Sequence, residues 1–164
     1  MFDDLLDANR RYSAEFHDPG LRGTAAKGLA VLTCIDSRID PLALLGLQPG
    51  DAKIIRNAGA RVTDDALRSL VLAANLLGVT RVCVVRHTDC AMVGSTEDEM
   101  RAKVAARAGV DVEGWDFLAS TDQLATLRED VARIESCPLL PRDLEVGAFI
   151  FDVHTGGLTP VDTR

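Results

Sequence analysis

The chain has little of what binding to nucleic acid, a membrane or a nucleotide requires. Its 18 lysines and arginines are outnumbered by 25 aspartates and glutamates, which leaves a net charge of -7. Because no basic stripe is available to neutralise phosphates, we expect no nucleic-acid partner. No apolar run approaches the ~18 to 20 residues of a membrane span. No Gly-x-Gly-x-x-Gly or Walker loop follows an apolar strand pattern, so a nucleotide site has little support.

Disulfide bonds are not expected either. The first residues, Met-Phe-Asp-Asp-Leu-Leu-Asp, carry acids where a secretory leader carries bases, which favours a cytoplasmic location. In that compartment the four cysteines are better interpreted as metal ligands or catalytic groups than as a disulfide framework. With 164 residues, 47% of them hydrophobic, the chain can bury a core without such bonds. We expect one domain over residues 1–164, with residues 1–17 as an N-terminal arm or helix.

Apolar runs bounded by glycine and proline alternate with segments of helical periodicity. Continuous apolar runs predict buried strands, and apolar residues three and four apart predict amphipathic helices. The predicted strands cover residues 29–35, 53–56, 81–86 and 147–153, with a short fifth strand over 158–161. The predicted helices cover residues 2–16, 41–45, 64–77, 96–108 and 121–136. This alternation is typical of an α/β protein.

Three of the predicted helices begin with capping residues. Thr63 is predicted to cap the third helix with its side-chain oxygen. Thr96 and Glu99 have the spacing of a capping box for the fourth helix, and Ser120 and Gln123 have the same spacing before the fifth.

Strands that alternate with helices predict a three-layer α/β fold, in which helices cover both faces of a mostly parallel sheet. We expect the strand order 2-1-3-4, with the fifth strand antiparallel at the edge. In such sheets ligands bind beyond the carboxyl ends of the strands, where the strand order reverses. Cys34 ends the first predicted strand and His87 follows the third. We therefore expect these two residues to converge, although they are far apart in the sequence.

A metal site is predicted where they converge. Cys34, His87 and Cys90 supply two thiols and an imidazole, a donor set that suits zinc. Three protein ligands leave a fourth position open, and a water in that position has its pKa lowered toward ~7. Asp36 can either ligate the metal and close the site or stay away from it. We expect Arg38 to keep it away through a bidentate salt bridge.

Three motifs in a fixed order resemble those of the β-class carbonic anhydrases. They are Cys34-x-Asp36-x-Arg38, Arg56-Asn57-Ala58-Gly59 and His87-x-x-Cys90. The resemblance covers nearly the whole chain, and the compact length is similar to that of the short bacterial branch of the family. It implies a zinc enzyme that hydrates carbon dioxide reversibly to bicarbonate by means of a zinc-bound hydroxide.

The resemblance also implies residue roles and a quaternary structure. The family's catalytic dyad maps onto Asp36 and Arg38, and its ligands for one zinc ion per chain map onto the two cysteines and the histidine named above. Backbone groups of Ala58 and Gly59 would help to line a narrow pocket for a small neutral substrate. A homodimer or higher homo-oligomer is implied, in which the helix within residues 1–17 lies across the partner subunit.

Two alternative functions remain open. The short branch resembles carbonyl sulfide and carbon disulfide hydrolases as closely as it does some anhydrases, and ligand spacing does not separate these linear, uncharged substrates. The other alternative is a non-catalytic zinc module with Asp36 on the metal at every pH. We expect Arg38, if buried without a carboxylate partner, to disfavour that permanent closure.

Two positions depart from the family pattern. Arg86 stands where a small residue or another histidine is expected, and Ala91 stands where many relatives have glycine. An added side chain next to the metal loop is expected either to narrow the pocket or, at Arg86, to add a positive charge at its mouth. Cys83 and Cys137 have no motif around them and are interpreted as small buried apolar residues.

Two histidines and one strand end have no assigned role. His17 and His154 are interpreted as surface or hydrogen-bonded residues, although either could pass protons if it lies near the mouth of the site. Arg56 and Asn57 are as well explained by stabilising a strand end as by a functional role.

Overall fold

One five-stranded sheet organises residues 1–163, the part of the chain that the computed structural model describes. Its strands are β1 (Leu29–Cys34), β2 (Ala52–Asn57), β3 (Arg81–His87), β4 (Glu145–Phe151) and β5 (Leu158–Pro160). Their order is β2-β1-β3-β4-β5, with β5 antiparallel to β4 and all other neighbours parallel. The predicted fold class and strand order are confirmed.

Helices connect the strands. They are α1 (Asp3–Glu15), α2 (Pro41–Leu44), α3 (Asp64–Leu76), α4 (Glu97–Ala108) and α5 (Gln123–Glu135), with a 3-10 turn over Ala58–Ala60. Each predicted helix is present, and its ends lie within two residues of the predicted ones. Among the described residues no helix is both long enough and apolar enough to cross a membrane.

Side-chain caps define where four of these helices begin, and Asp40 is the cap of α2. Thr63 accepts a hydrogen bond from the first turn of α3, and Thr96 and Glu99 form the reciprocal capping box of α4, as predicted. The box predicted to begin at Ser120 is wrong, because Asp122 caps α5 instead. Ser120 belongs to an isolated β-bridge just upstream, so the helix begins later than its sequence spacing indicates.

Two apolar cores lie on the two faces of the sheet. Successive side chains of a strand point to opposite faces. Leu32 and Val84 accordingly pack with α3 and α5, whereas their neighbours Val31 and Val85 pack with α2 and the loops around it. Cys34 belongs to the second core, at the carboxyl end of β1. The sheet thus presents that cysteine at the edge of a water-excluding layer.

Helix α1 contains no buried residue, although it carries large apolar side chains. The exposed apolar residues on and beside it are Phe2, Leu5, Leu6, Tyr12 and Phe16. The rings of Tyr12 and Phe16 contact each other, with centroids 5.5 Å apart. An exposed apolar group of this extent is typical of a surface that another molecule covers.

Candidate metal centre

The two cysteines and the histidine predicted as ligands lie together in the structure. One ligand atom from each of Cys34, His87 and Cys90 lies within 4.8 Å of the other two, and all three residues are buried. They meet because β1 and β3 are parallel neighbours, so that Cys34 and His87 extend from the same end of the sheet. Cys90 is reached by the tight turn after β3, in which Asp89 has a positive φ of 55°.

One ring nitrogen of His87 is available to bind a metal. Its Nδ1 lies 2.8 Å from the carbonyl oxygen of Thr88. Its Nε2 is buried and has no hydrogen-bond partner. A buried polar atom without a partner is costly. If Nδ1 carries the proton, it donates a hydrogen bond to the carbonyl oxygen of Thr88. Nε2 then offers its lone pair to a metal, as histidine ligands commonly do.

The Cys34 and Cys90 thiols shift each other's pKa in opposite directions. A hydrogen bond from Cys90 holds the pKa of Cys34 well below its usual range, and the same bond, together with burial, raises the pKa of Cys90. The backbone N–H of Gly59 also donates to the Cys34 sulfur, at 3.4 Å. Thiolate is the form that binds metal. The Cys34 sulfur is thus favoured as a thiolate. Although burial opposes it, the neighbouring Cys34 raises the pKa of His87.

Asp36 is held by Arg38 rather than by the ligand cluster. Arg38 Nε lies 3.0 Å from Asp36 Oδ1 and Arg38 Nη2 lies 2.7 Å from Oδ2, while the Arg38 backbone N–H donates to Oδ1 at 2.9 Å. These bonds keep the pKa of Asp36 below its ordinary value. The other carboxylate contact is with His87, whose Nε2 is 3.9 Å from Asp36 Oδ2. The arrangement leaves an ionised carboxylate next to the cluster.

The loop after β2 borders the cluster on a second side. Gly59 has a positive φ of 75°, and a Cβ added there would lie 3.2 Å from the Cβ of Met92. Glycine is therefore needed for both the backbone conformation and the close approach. Ala58 is exposed beside it. The structure brings Gly59 to the ligands, and Ala58 lies at the surface of the same turn.

Arg56 has a role that sequence reasoning left undecided. Its Nε donates to the carbonyl of Cys34 at 2.9 Å and its Nη2 donates to the carbonyl of Asp36 at 2.7 Å. It thereby fixes the backbone on both sides of the first ligand. The sequence did not predict these contacts, because the acceptors are backbone carbonyl groups at and just after the end of a neighbouring strand, and backbone groups leave no pattern in the sequence.

The expectation that Arg86 adds charge at the mouth of the site is wrong. Arg86 is buried and donates to Asp130 on α5, as well as to the carbonyl of Gln123. Because side chains alternate along β3, Arg86 faces the α5 layer while His87 is on the other side. Ala91 is exposed. Asp130 was missed, although an acidic residue among Leu127, Val131 and Ile134 on one helix face signals a buried carboxylate.

The remaining histidines and cysteines lie outside the ligand cluster. His154 Nε2 is 2.5 Å from Oδ2 of Asp89, a residue in the turn between two predicted ligands, whereas Nδ1 of His17 is hydrogen-bonded to the backbone of Glu15 beside α1. Cys83 and Cys137 are free and half-buried, which agrees with their interpretation as packing residues. His154 is thus the histidine placed near the mouth.

A mostly parallel sheet with a buried cluster of two thiols and an imidazole at its strand-order reversal defines an α/β protein of the carbonic anhydrase type, with a cluster that could hold a metal ion. The protein-family model for carbonic anhydrase matches residues 29–117. The chain belongs to this family, in its β class. The curated β-carbonic anhydrase 1 of Mycobacterium tuberculosis is 35% identical over 159 residues, which cover 97% of this chain and 96% of that protein.

Two further relatives bear on the site. A crystal structure of carbonic anhydrase from Streptococcus mutans superposes with a TM-score of 0.91 at 38% identity, covering 98% of this chain and 97% of that one. The carbon disulfide hydrolase of Saccharolobus solfataricus is 34% identical over 151 residues, which cover 77% of this chain and 74% of that protein. Both kinds of enzyme predicted from the motifs are therefore among the relatives.

Proposed function

We propose that this protein catalyses the reversible hydration of carbon dioxide to bicarbonate, with one zinc ion per chain held by Cys34, His87 and Cys90. The observation that carries the proposal is the convergence of these three buried donors beside an Asp36 carboxylate that Arg38 holds away from them. The similarity to β-carbonic anhydrases over nearly the full length supports it.

The donor set is suited to zinc and to catalysis. Two thiolates and an imidazole are borderline-soft ligands, and three protein ligands are the number found in catalytic zinc sites. Zinc bound there supplies hydroxide at neutral pH by lowering the pKa of water. Binding of the metal requires both Cys34 and Cys90 as thiolates, so metal binding would release protons.

Asp36 and Arg38 form the proposed catalytic pair. Asp36 Oδ2 lies near the metal-facing nitrogen of His87. An ionised carboxylate at this position accepts the hydrogen bond of the attacking water oxygen and orients a lone pair of that oxygen toward the carbon of carbon dioxide. Arg38 holds the carboxylate in place with a two-point contact, which fixes its direction as well as its charge.

A closed form, in which Asp36 becomes the fourth ligand, is also open to this chain. A buried Arg38 without a carboxylate partner was expected to disfavour permanent closure, unless it found another acceptor. The structure corrects this premise, because the Arg38 side chain is 44% exposed and also donates to the carbonyl of Asp89. Water and that carbonyl would solvate the guanidinium after Asp36 leaves. We propose that the two forms interconvert, with Asp36 on Arg38 in the active form and Asp36 as a metal ligand in the resting form.

We propose that the substrate occupies a narrow space beside Gly59 and Ala58. The N–H of Gly59 points at the Cys34 sulfur, and Met92 packs close to its Cα. A small linear substrate needs orientation more than hydrogen bonds, and a tight turn with little side-chain bulk provides room for it.

We propose a homodimer or higher homo-oligomer in which α1 packs on a second copy. Its support is the exposed apolar group on α1, which no described residue of the same chain covers. Burial of such side chains is worth roughly 1.5 to 3 kcal/mol each. The organisation of residues 1–164 as one domain and a cytoplasmic location stay predictions.

Hydrolysis of carbonyl sulfide or carbon disulfide is the second candidate function. It is favoured by the carbon disulfide hydrolases among the relatives, although the chain covers less of their length than of the anhydrases'. The third candidate, a structural zinc module, predicts Asp36 on the metal at every pH.

A paired assay on protein with a measured zinc content tests these candidates. Carbon dioxide hydration by stopped flow and carbonyl sulfide and carbon disulfide hydrolysis are compared on one preparation. We expect a larger kcat/KM for carbon dioxide, loss of activity after chelation and recovery with zinc. A larger kcat/KM for a sulfur substrate would favour the second candidate. If no substrate is turned over, the third candidate, the structural zinc module, is favoured.

A further inference from the structure

A cluster of three charged side chains is buried between β3, α5 and the loop after β2. Asp130 Oδ2 accepts a hydrogen bond from Arg86 Nη2 at 2.6 Å and one from Arg61 Nε at 2.8 Å. The side chains of Asp130, Arg86 and Arg61 are 5%, 3% and 14% exposed. Two guanidinium groups facing one carboxylate leave a buried excess of positive charge. Because a buried ion pair is weak evidence for stability, the cluster needs another explanation.

Both arginines are also fixed on their other side. Arg86 Nη1 donates to the carbonyl of Gln123 at 2.7 Å and to Thr126 Oγ1 at 2.5 Å. Arg61 Nη1 donates to the carbonyl of Leu118 at 3.0 Å. Neither guanidinium can therefore move without breaking contacts to α5 or to the segment that precedes it.

Each arginine lies in a chain segment that borders the metal centre. Arg86 precedes His87, and the carbonyl of His87 accepts a hydrogen bond from Gln123 Nε2 at 3.0 Å. Arg61 closes the pocket loop, which we define as residues 57–61: its N–H donates to Asn57 Oδ1 at 2.8 Å, and its carbonyl accepts from Asn57 Nδ2 at 2.7 Å. That loop carries the N–H directed at the sulfur of the first ligand.

We infer that Asp130 is a positioning residue that ties the His87 segment, through Arg86, and the pocket loop, through Arg61, to one point on α5. The two segments belong to different strands, and the shared carboxylate sets the separation between the metal ligand and the substrate pocket. The inference rests on the zinc site of the proposed function, but not on the identity of the substrate.

The first test removes one arginine at a time from the pair that contacts Asp130. The other arginine then still neutralises the carboxylate. In Arg86→Met, Arg61 still holds Asp130, so the remaining pair is neutral. We expect the zinc affinity, measured by competition with a chelator, to fall about 10-fold, the lower end of what loss of a partner behind a metal ligand costs. We also expect an altered absorption spectrum of the cobalt(II)-loaded protein, because the spectrum reports the geometry of the ligands.

Asp130→Asn cuts both links at once, and Arg61→Met cuts the one to the pocket loop. We expect Asp130→Asn to change both the cobalt spectrum and the zinc affinity. Arg61→Met should keep the zinc affinity and raise KM several-fold, because the ligands stay fixed while the loop loosens. If Asp130→Asn does not fold, the two arginine variants still decide the question.

Asp64→Asn is the matched control. It makes the same chemical change, and Asp64 also pairs with an arginine of α5, Arg133. It has no contact with His87 or the pocket loop among the hydrogen bonds of the described residues. We expect its zinc affinity and cobalt spectrum to equal those of the parent protein.

Zinc affinities within twofold of the parent and unchanged cobalt spectra in both Arg86→Met and Asp130→Asn would overturn the inference. These readouts need no turnover. If the parent protein binds zinc but does not hydrate carbon dioxide, the proposed function fails, while altered spectra in the two variants still support the positioning role.

Discussion

Arg38 and Asp36 form a two-point contact beside the metal ligands: Nε lies 3.0 Å from Oδ1 and Nη2 lies 2.7 Å from Oδ2. The two residues are close in sequence, so the contact needs only a tight turn after β1. Its importance comes from what lies next to it, because the other side of the carboxylate faces the Nε2 atom of His87.

Asp36→Asn should keep the zinc content and lose most of the hydration activity. An uncharged amide accepts the hydrogen bond of the attacking oxygen more weakly than an ionised carboxylate does, so the orientation of that oxygen is lost and we expect a fall of about 100-fold. Stopped-flow kcat/KM on zinc-quantified protein measures the effect. Asp65→Asn, which breaks the exposed contact with Arg68 on α3, is the control and should be fully active. Activity within twofold of the parent would remove the carboxylate from the mechanism.

His154→Ala should slow turnover in weak buffer only. His154 is exposed and bonded to Asp89 at the mouth of the site, where an imidazole can accept the proton released by each hydration. We expect kcat to fall several-fold at low buffer concentration and to recover when imidazole is added. His17→Ala, which alters an exposed histidine hydrogen-bonded to the backbone of Glu15, should show no such dependence. Equal buffer dependence of both variants would contradict the assignment.

Leu5→Asp should convert the oligomer to a monomer. The substitution places a charge in the middle of the exposed apolar group of α1, where desolvation of the carboxylate opposes docking. Light scattering after size-exclusion chromatography gives the mass. Leu76→Asp is matched in chemistry and lies at an exposed position of α3, so its mass should not change. A monomer from the second variant instead would place the interface on α3.

Gly59→Ala should destabilise the protein and impair the site. The backbone at Gly59 is in the left-handed region, and the added methyl would lie 3.2 Å from Met92, so we expect a loss of about 1 to 2 kcal/mol in the free energy of unfolding. Gly46→Ala has a similar positive φ of 62° and open space around it. It should show only the backbone part of the loss, with normal kcat/KM.

The contribution of Asp51 to stability should disappear in acid. A backbone hydrogen bond from Gln48, and then the ion pair with Lys27, lower the pKa of Asp51. Because the folded-state pKa is below the unfolded one, the stabilisation is complete above the unfolded pKa of ~3.9 and is lost as the pH falls through the folded value. Asp51→Asn should therefore be less stable than the parent at pH 6, with the difference shrinking at pH 3. A difference independent of pH would contradict the assignment.

The sequence predicted features that depend on neighbouring residues well. It predicted side-chain contacts between segments that are distant in the sequence poorly. Caps such as Thr63 and the ligand motif around His87 depend on neighbours within a few residues, so their spacing carries the information. Asp122 as the cap of α5 was missed because a β-bridge at Ser120, formed with a distant segment, delays the helix. The burial of Arg86 was missed because its partner, Asp130, lies on a helix much later in the chain.

By itself the sequence determined the α/β class, the ligand types and their placement at strand ends, because apolar periodicity and donor chemistry are local properties of the chain. The tertiary structure alone decided that Cys90 lies beside Cys34 and that Arg56 donates to the carbonyls of Cys34 and Asp36. It also decided that two arginines beside the site converge on one carboxylate of α5. These facts depend on distances between segments that only the packed sheet and helices establish.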